Sequence, residues 1–164
     1  MSETRVLAGA LIEKLRQQGK TIATAESCSG GLLAAALTDI PGASEVFGFG
    51  LITYSNAAKQ RLLGVAAATL ARYGAVSPET AQAMAAGLLR QSGADLAIGV
   101  TGIAGPGGGS LEKPVGLVYI GLAGPGGVRA VRCQFAGDRQ AVRQQTVAQG
   151  LALALAALDG KEQD

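Results

Sequence analysis

Histidine and tryptophan are absent from this chain of 164 residues, and aromatic residues make up only 4% of it. The lack of histidine excludes a Ser-His-Asp triad, a Cys-His pair and a zinc site that uses histidine. Two cysteines are too few for a disulfide framework, which favours a reducing cytosol. The net charge is only +2, and no basic run with interleaved aromatics indicates a nucleic-acid partner.

Long apolar runs are missing as well, so the sequence predicts no membrane span and no membrane partner. The first residues are polar and lead into an amphipathic helix, which is not the pattern of a signal peptide. We therefore expect a cytoplasmic protein. The length fits a single domain over residues 1–164, with its core at about 5–158. Alanine and glycine supply much of the 48% apolar content, and such small residues suit close packing of helices on a sheet.

Helical and strand patterns alternate along the chain. The predicted helices lie at about 6–18, 29–38, 56–63, 67–72, 78–92 and 139–158, with a charged tail from Asp159. The predicted strands lie at 21–25, 47–54 and 95–101, followed by a hairpin of strands 116–123 and 128–135. Strands that alternate with helices imply parallel pairing, and the hairpin adds an antiparallel strand. The expected fold is α/β, a three-layer α/β/α domain with a mixed sheet of about five strands.

Three unusual segments follow the predicted parallel strands: "ESCSGG", "YSNAAK" and "GIAGPGGG". Ligands of open α/β sheets bind beyond the carboxyl ends of the parallel strands. We therefore expect these three segments to meet in one crevice.

The first segment places three potential nucleophiles, Ser27, Cys28 and Ser29, at a junction between strand and helix. Free backbone N–H groups at the start of a helix can stabilise an oxyanion, and Gly30 and Gly31 allow a substrate to approach them. The same residues also fit a simpler interpretation, in which a serine caps the helix and Cys28 belongs to the core.

Without histidine, a serine nucleophile needs another base, and a lysine with a lowered pKa can serve. Among the five lysines, Lys59 is the candidate because it lies in the first turns of the helix after the second strand. An exposed helix lysine is the alternative. Tyr54 could relay a proton or orient the lysine, or could be a core or rim tyrosine. Glu26 could orient the site or pair with a cation.

The glycine-rich segment "TGIAGPGGGSLEKPVG" can present several backbone N–H groups to a phosphate, although it is not a Walker A loop. A loop of this length is unusual in a compact domain unless it is functional. Arg139 and Arg143 share one face of the last helix and, with Lys113, are candidate anion contacts. The predicted substrate-binding residues of this part of the chain are Thr101, Gly102, Ile103, Ala104, Gly105, Arg139 and Arg143.

Taken together, "AESCSGG", "TYSNAAK", "GAVSPETA", "TGIAGPGGG", "EKPVG" and "FAGDRQAVR" resemble the CinA C-terminal domain family, the nicotinamide-nucleotide amidohydrolases. The resemblance runs over about residues 5–158, with every block in order, and looks like the form without an additional N-terminal domain. It implies hydrolysis of nicotinamide mononucleotide to nicotinic acid mononucleotide and ammonia. It also implies a fold like an anticodon-binding domain, a homo-oligomer, no obligatory metal and no cofactor.

The resemblance assigns the nucleophile to Ser27, the base to Lys59 and a supporting role to Tyr54. Family members vary at the position of Ser29, which favours Ser27 as the nucleophile. Glu26, Ser29, Gly30 and Gly31 complete the expected substrate-binding residues. Two other hypotheses stay open: a catalytically silent nucleotide-binding module, and a Ser-Lys hydrolase that acts on another small amide or ester.

Overall fold

The computed structural model describes residues 2–160. The part of the predicted charged tail from residue 161 onward lies outside the described residues. The elements in chain order are α1 Glu3–Gln18, β1 Ile22–Glu26, α2 Leu32–Thr38, a short 3-10 turn at Ala43–Glu45, β2 Phe47–Ile52, α3 Asn56–Leu63, α4 Ala67–Tyr73, α5 Pro78–Ser92, β3 Leu96–Gly102, β4 Leu117–Gly124, β5 Gly127–Gln134 and α6 Arg139–Leu158.

The five strands form one mixed sheet in the order β2-β1-β3-β4-β5. Strand β1 is parallel to both β2 and β3, whereas β4 is antiparallel to β3 and to β5. The predicted α/β fold with a mixed five-stranded sheet is confirmed. The parallel strands β2, β1 and β3 are neighbours, so the three segments that follow them leave the same edge of the sheet.

Helices cover both faces of the sheet. Helices α1, α2 and α6 pack on one face over a core of large aliphatic side chains, such as Ile98 and Ile120. Helices α3, α4 and α5 cover the other face, where the strands contribute mainly alanine and glycine. On this side a Cβ at Gly99 would lie 2.9 Å from the backbone nitrogen of Ala85, so α5 rests almost directly on the strands. The high alanine and glycine content therefore serves close packing of α5 on the sheet, as predicted.

Helix α2 begins at Leu32, three residues after the earliest predicted start. Gly30 and Gly31 adopt φ angles of +60° and +107°, which are left-handed conformations that a helix cannot include. The prediction that α2 starts at Ser29 or Gly30 was therefore wrong. The segment between β1 and α2 is a turn, and this turn carries the candidate nucleophiles.

None of the helices within residues 2–160 is both long enough and apolar enough to cross a bilayer.

Candidate active site

Ser27 and Lys59 meet at the carboxyl edge of the parallel strands. Ser27 follows β1 directly, and Lys59 lies in the first turns of α3, which Ser55 caps through the N–H of Ala58. The Nζ of Lys59 lies 3.0 Å from the Oγ of Ser27. Both side chains are buried, with 8% of Ser27 and 1% of Lys59 exposed. The sequence predicted that the segments of these two residues meet in one crevice, and in the structure their side chains are in direct contact.

The surroundings of Lys59 favour its neutral form. Burial lowers the pKa of its amino group below the ordinary lysine value. Within residues 2–160, none of the ion pairs involves Lys59. Its other hydrogen-bond partners are neutral backbone carbonyls, those of Thr53 at 2.8 Å and Tyr54 at 3.3 Å. A buried amine that lacks a carboxylate partner is suited to accept a proton.

Glu26 binds the start of α2 with both carboxylate oxygens. One accepts a hydrogen bond from the N–H of Leu33 at 2.8 Å, and the other from the N–H of Ala34 at 3.0 Å. The N-cap residue of α2, Gly31, has no side chain to perform this task. Glu26 is only 1% exposed. The structure therefore places this predicted substrate contact as the cap of α2, where it holds the turn that follows Ser27.

The turn between β1 and α2 keeps three backbone donors free of protein acceptors. The N–H of Ser27 donates to Val100 O, and the N–H of Gly30 donates to Ser27 O. Among the described residues, the N–H groups of Cys28, Ser29 and Gly31 have no acceptor. The hydroxyl of Ser29 is also buried without a partner. Such unoccupied donors beside a nucleophile are the elements of an oxyanion site.

Two arginines of α6 reach the three segments at the edge of the sheet. Arg143 donates to the carbonyl oxygens of Cys28 at 3.1 Å and Ser29 at 3.2 Å, in the turn after β1. Arg139 donates to the carbonyl oxygen of Gly105 at 2.8 Å and to the hydroxyl of Tyr54 at 3.1 Å. Helix α6 thus links the segments after β1, β2 and β3.

Tyr54 contacts the Ser27–Lys59 pair through its backbone. Its carbonyl oxygen accepts hydrogen bonds from Lys59 and from the hydroxyl of Ser27, the latter at 3.4 Å. The phenol side chain is 60% exposed, and its hydroxyl is bound by Arg139. Strand β2 ends at Ile52, two residues before Tyr54.

The glycine-rich segment folds back on the sheet. Gly102 is still part of β3, Thr101 donates its hydroxyl to Ala75 O, and the N–H of Ile103 donates to Leu117 O. Ala104 is buried. The N–H groups of Ala104, Gly105, Gly107, Gly108 and Gly109 lack protein acceptors within the described residues, and those of the exposed Gly107 to Gly109 are open to an anion. Lys113 is held away from them, since its Nζ donates to Tyr73 O at 2.6 Å.

An open cleft of about 810 Å³ lies between this segment and α6, lined among others by Leu32, Pro106, Val115, Arg139 and Arg143. Neither arginine forms an ion pair within residues 2–160, and the carboxylate of Asp138 is bound to the N–H of Ala141 as the cap of α6. With two arginines and one carboxylate among the lining residues, the cleft carries a net positive charge. Ser27 and Lys59 are not among the lining residues, although Ser27 belongs to the turn that Arg143 holds.

The model of the CinA C-terminal domain family matches residues 4–158. The chain belongs to this family. A nicotinamide-nucleotide amidohydrolase, PncC, of Enterobacter agglomerans is 51% identical to it over 158 residues, which cover 94% of this chain and 96% of that protein. The crystal structure of the competence/damage inducible protein CihA from Agrobacterium tumefaciens matches with a TM-score of 0.93 at 45% identity, covering 97% of each chain.

Other relatives in the CinA family are longer. A CinA-like protein of Desulfovibrio desulfuricans is 61% identical over 117 residues, and the matched part covers 71% of this chain. The chain spans 28% of the length of that relative. The family resemblance and the fold predicted from the sequence are confirmed by these matches.

Cys28 belongs to the core beneath α1, α2 and α6. Only 5% of it is exposed, and burial raises the pKa of its thiol to about 11. A thiol with such a pKa carries almost no thiolate at neutral pH. These surroundings do not favour Cys28 as a nucleophile.

The residues described, 2–160, contain no group of three His, Cys, Asp or Glu side chains that could hold a metal ion. Independence from metals therefore stays a prediction.

Proposed function

We propose that this chain hydrolyses the carboxamide of nicotinamide mononucleotide to give nicotinic acid mononucleotide and ammonia, with Ser27 as nucleophile and Lys59 as base. The observation that carries the proposal is the 3.0 Å contact between the buried Lys59 Nζ and Ser27 Oγ. The relative from Enterobacter agglomerans, named as a nicotinamide-nucleotide amidohydrolase, supports the same reaction.

The hydrogen bonds of Lys59 fit a neutral amine. An ammonium group has three N–H donors, whereas a neutral amine has two donors and one lone pair. The carbonyls of Thr53 and Tyr54 accept the two N–H bonds of the neutral form. In the structure the Ser27 hydroxyl donates to Tyr54 O, and the lone pair of the neutral amine accepts its proton once this hydroxyl rotates from Tyr54 O toward Lys59. Two fixed carbonyls thus orient the lone pair of the base toward the nucleophile.

In the first step, Ser27 Oγ forms a bond to the carboxamide carbon while its proton passes to Lys59. The free N–H groups of Ser29 and Gly31 bind the oxygen that becomes negative. The carbon–nitrogen bond then breaks, and Lys59 returns the proton to the leaving amine, which departs as ammonia. The hydroxyl of Tyr54 is bound by Arg139, so direct transfer from Lys59 needs no relay.

In the second step, a water molecule gives a proton to Lys59 and attacks the ester carbon of the acyl-enzyme. The carbon–oxygen bond to Ser27 breaks, and Lys59 reprotonates the serine. The product is the nicotinate carboxylic acid, which ionises in water. Each proton taken by Lys59 is thus returned within the same half-reaction, and the side chains end as they began.

The phosphate of the nucleotide binds in the positively charged cleft. The guanidinium of Arg139 lines this cleft and is its first donor, and the exposed N–H groups of Gly107 to Gly109, which follow the lining residue Pro106, are further donors within the same segment. Binding energy gained at the phosphate, away from the amide, supports the chemical step at the amide. We therefore expect a higher kcat/KM for the mononucleotide than for nicotinamide riboside.

The test is ammonia release from nicotinamide mononucleotide, nicotinamide riboside, free nicotinamide and a panel of small amides, with wild type and Ser27→Ala side by side. Turnover of the mononucleotide that Ser27→Ala abolishes supports the proposal. Binding without turnover would favour a silent nucleotide-binding module. Faster turnover of another amide would favour a Ser-Lys hydrolase of different specificity, and equal kcat/KM for nucleotide and riboside would contradict the phosphate site.

We further propose, from the resemblance to the family, a cytoplasmic homo-oligomer. Light scattering coupled to size-exclusion chromatography measures the mass in solution, and a monomer at micromolar concentration would contradict this proposal.

A further inference from the structure

Arg143 is partly buried and donates to two consecutive carbonyls of the turn that carries the nucleophile, those of Cys28 and Ser29. Its position on the face of α6 that borders the cleft predicts a phosphate contact, and the observed bonds point inward to the turn instead. We infer that Arg143 is a positioning residue, which orients the backbone donor that stabilises the oxyanion. This inference rests on the proposed hydrolysis by Ser27.

The planarity of the peptide bond connects Arg143 to this donor. The carbonyl of Cys28 and the N–H of Ser29 belong to the same trans peptide unit, so they point in opposite directions. A guanidinium that holds the Cys28 carbonyl therefore aims the Ser29 N–H away from α6. The N–H of Ser29 is one of three in this turn, with those of Cys28 and Gly31, that lack a protein acceptor among the described residues.

The second bond of Arg143 fixes the next peptide unit in the same way. The carbonyl of Ser29 accepts from Arg143, and the N–H of Gly30 in that unit donates to Ser27 O at 3.0 Å. The peptide planes Cys28–Ser29 and Ser29–Gly30 are therefore both held. A positive charge on a carbonyl also polarises its peptide unit, which strengthens the N–H as a donor.

The turn is shaped to receive the guanidinium. Gly30 has a φ of +60°, and a Cβ built there would lie 3.2 Å from a terminal nitrogen of Arg143. A lysine at position 143 would not reproduce these contacts, because Arg143 uses two separate nitrogens of a rigid planar fork, Nε for Cys28 O and Nη2 for Ser29 O, and a lysine offers one nitrogen at a different place. Arg143→Lys thus keeps the positive charge and removes the paired hydrogen bonds to Cys28 O and Ser29 O.

The experiment compares Arg143→Lys with Arg139→Lys, using both nicotinamide mononucleotide and nicotinamide riboside. For Arg143→Lys we expect kcat to fall about 10- to 100-fold, by the same factor on both substrates and with little change in KM. For Arg139→Lys we expect the loss mainly on the mononucleotide. Arg90→Lys, an exposed position on α5, serves as the matched control with unchanged kinetics.

A second variant tests the contact of Arg143 with the turn by changing a residue of the turn. Gly30→Ala presses a methyl group on the guanidinium and strains a left-handed φ, so it should lower kcat on both substrates as well. Thermal unfolding of each variant shows whether it is folded at the assay temperature. Loss of mononucleotide turnover alone in Arg143→Lys, as a raised KM, would show a phosphate contact and overturn the inference, and so would an unchanged kcat.

A readout independent of the substrate separates this inference from the proposed function. Methanesulfonyl fluoride sulfonylates an activated serine: the Ser27 oxygen bonds to sulfur, fluoride leaves, and the proton passes to Lys59. Intact-mass measurements give the labelling rate, with Ser27→Ala as the blank. Slower labelling of Arg143→Lys than of wild type supports the inference even if no ammonia is released from the mononucleotide. Equal labelling rates, or no labelling of wild type at Ser27, would overturn it.

Discussion

Lys59 Nζ lies 3.0 Å from Ser27 Oγ, and the remaining acceptors around this amine are neutral carbonyl groups. The pair is buried, and no ion pair within residues 2–160 stabilises a charge on the lysine. Desolvation is therefore the dominant influence on the base, and it acts to keep the base neutral.

This relationship predicts the pH dependence of the reaction. The lowered pKa of Lys59 means that its proton leaves at a pH below the ordinary lysine value of about 10.4. Activity is lost as pH falls through this pKa, because the protonated amine cannot accept the serine proton. We expect kcat/KM to rise tenfold per pH unit through one group and then reach a plateau. A flat profile between about pH 6 and pH 10 would contradict Lys59 as the base.

Substitutions of the pair itself separate a base from a simple positive charge. Ser27→Ala should reduce turnover by about 10⁴-fold or more in a folded protein. Lys59→Arg should cost about 10²- to 10⁴-fold, because a guanidinium stays protonated and cannot accept the proton. Lys14→Arg on α1, which keeps a half-buried ion pair with Asp159, is the matched control and should leave the rate unchanged. Steady-state ammonia release measures all three, and a Lys59→Arg variant of nearly full activity would refute general-base catalysis.

The meeting of Ser27 and Lys59 could be predicted from the sequence because it follows from topology. Segments that leave the carboxyl ends of neighbouring parallel strands reach one edge of the sheet, and the absence of histidine leaves lysine as a substitute base. The close approach of α5 likewise followed from the density of alanine and glycine. These are properties of residue type and order, which the sequence states directly.

Other contacts of the site depend on the path of the backbone, which cannot be read from the residue types. These are the contacts of Glu26, of Arg143 and of the Tyr54 carbonyl. Gly30 and Gly31 turn left-handed and move the start of α2 to Leu32, so Glu26 becomes its cap. The carbonyls that Arg143 binds are exposed to it by the same turn. Two glycines in succession after a strand were the available signal, since such pairs often mark left-handed backbone at a helix start.

Cys28→Ala tests the choice between the neighbouring nucleophiles. The thiol lies in the core beneath α2 with a pKa raised to about 11, so it should take no part in turnover. We expect most of the activity to remain, with a loss of stability of about 1 kcal/mol from the small cavity. Cys133→Ala, another buried thiol with a pKa raised to about 11, is the matched control. Near-complete loss of activity in folded Cys28→Ala alone would assign the nucleophile to the thiol.

Glu26→Gln tests the link between the cap of α2 and the site. The glutamine carbonyl can accept one of the two bonds from Leu33 and Ala34, but its NH₂ group faces the other N–H, donor against donor. The buried donor left without an acceptor, with the loss of a negative charge at the start of a helix, should cost about 1–3 kcal/mol. Urea denaturation measures the free energy of unfolding.

Glu3→Gln, in the exposed first turn of α1, also removes a charge from a helix start but breaks no buried hydrogen bond, so its cost should be a few tenths of a kcal/mol. Equal effects of the two substitutions would mean that Glu26 acts only by its charge. A larger effect of Glu26→Gln, together with a lowered kcat, would show that the cap holds the turn in which Ser27 lies.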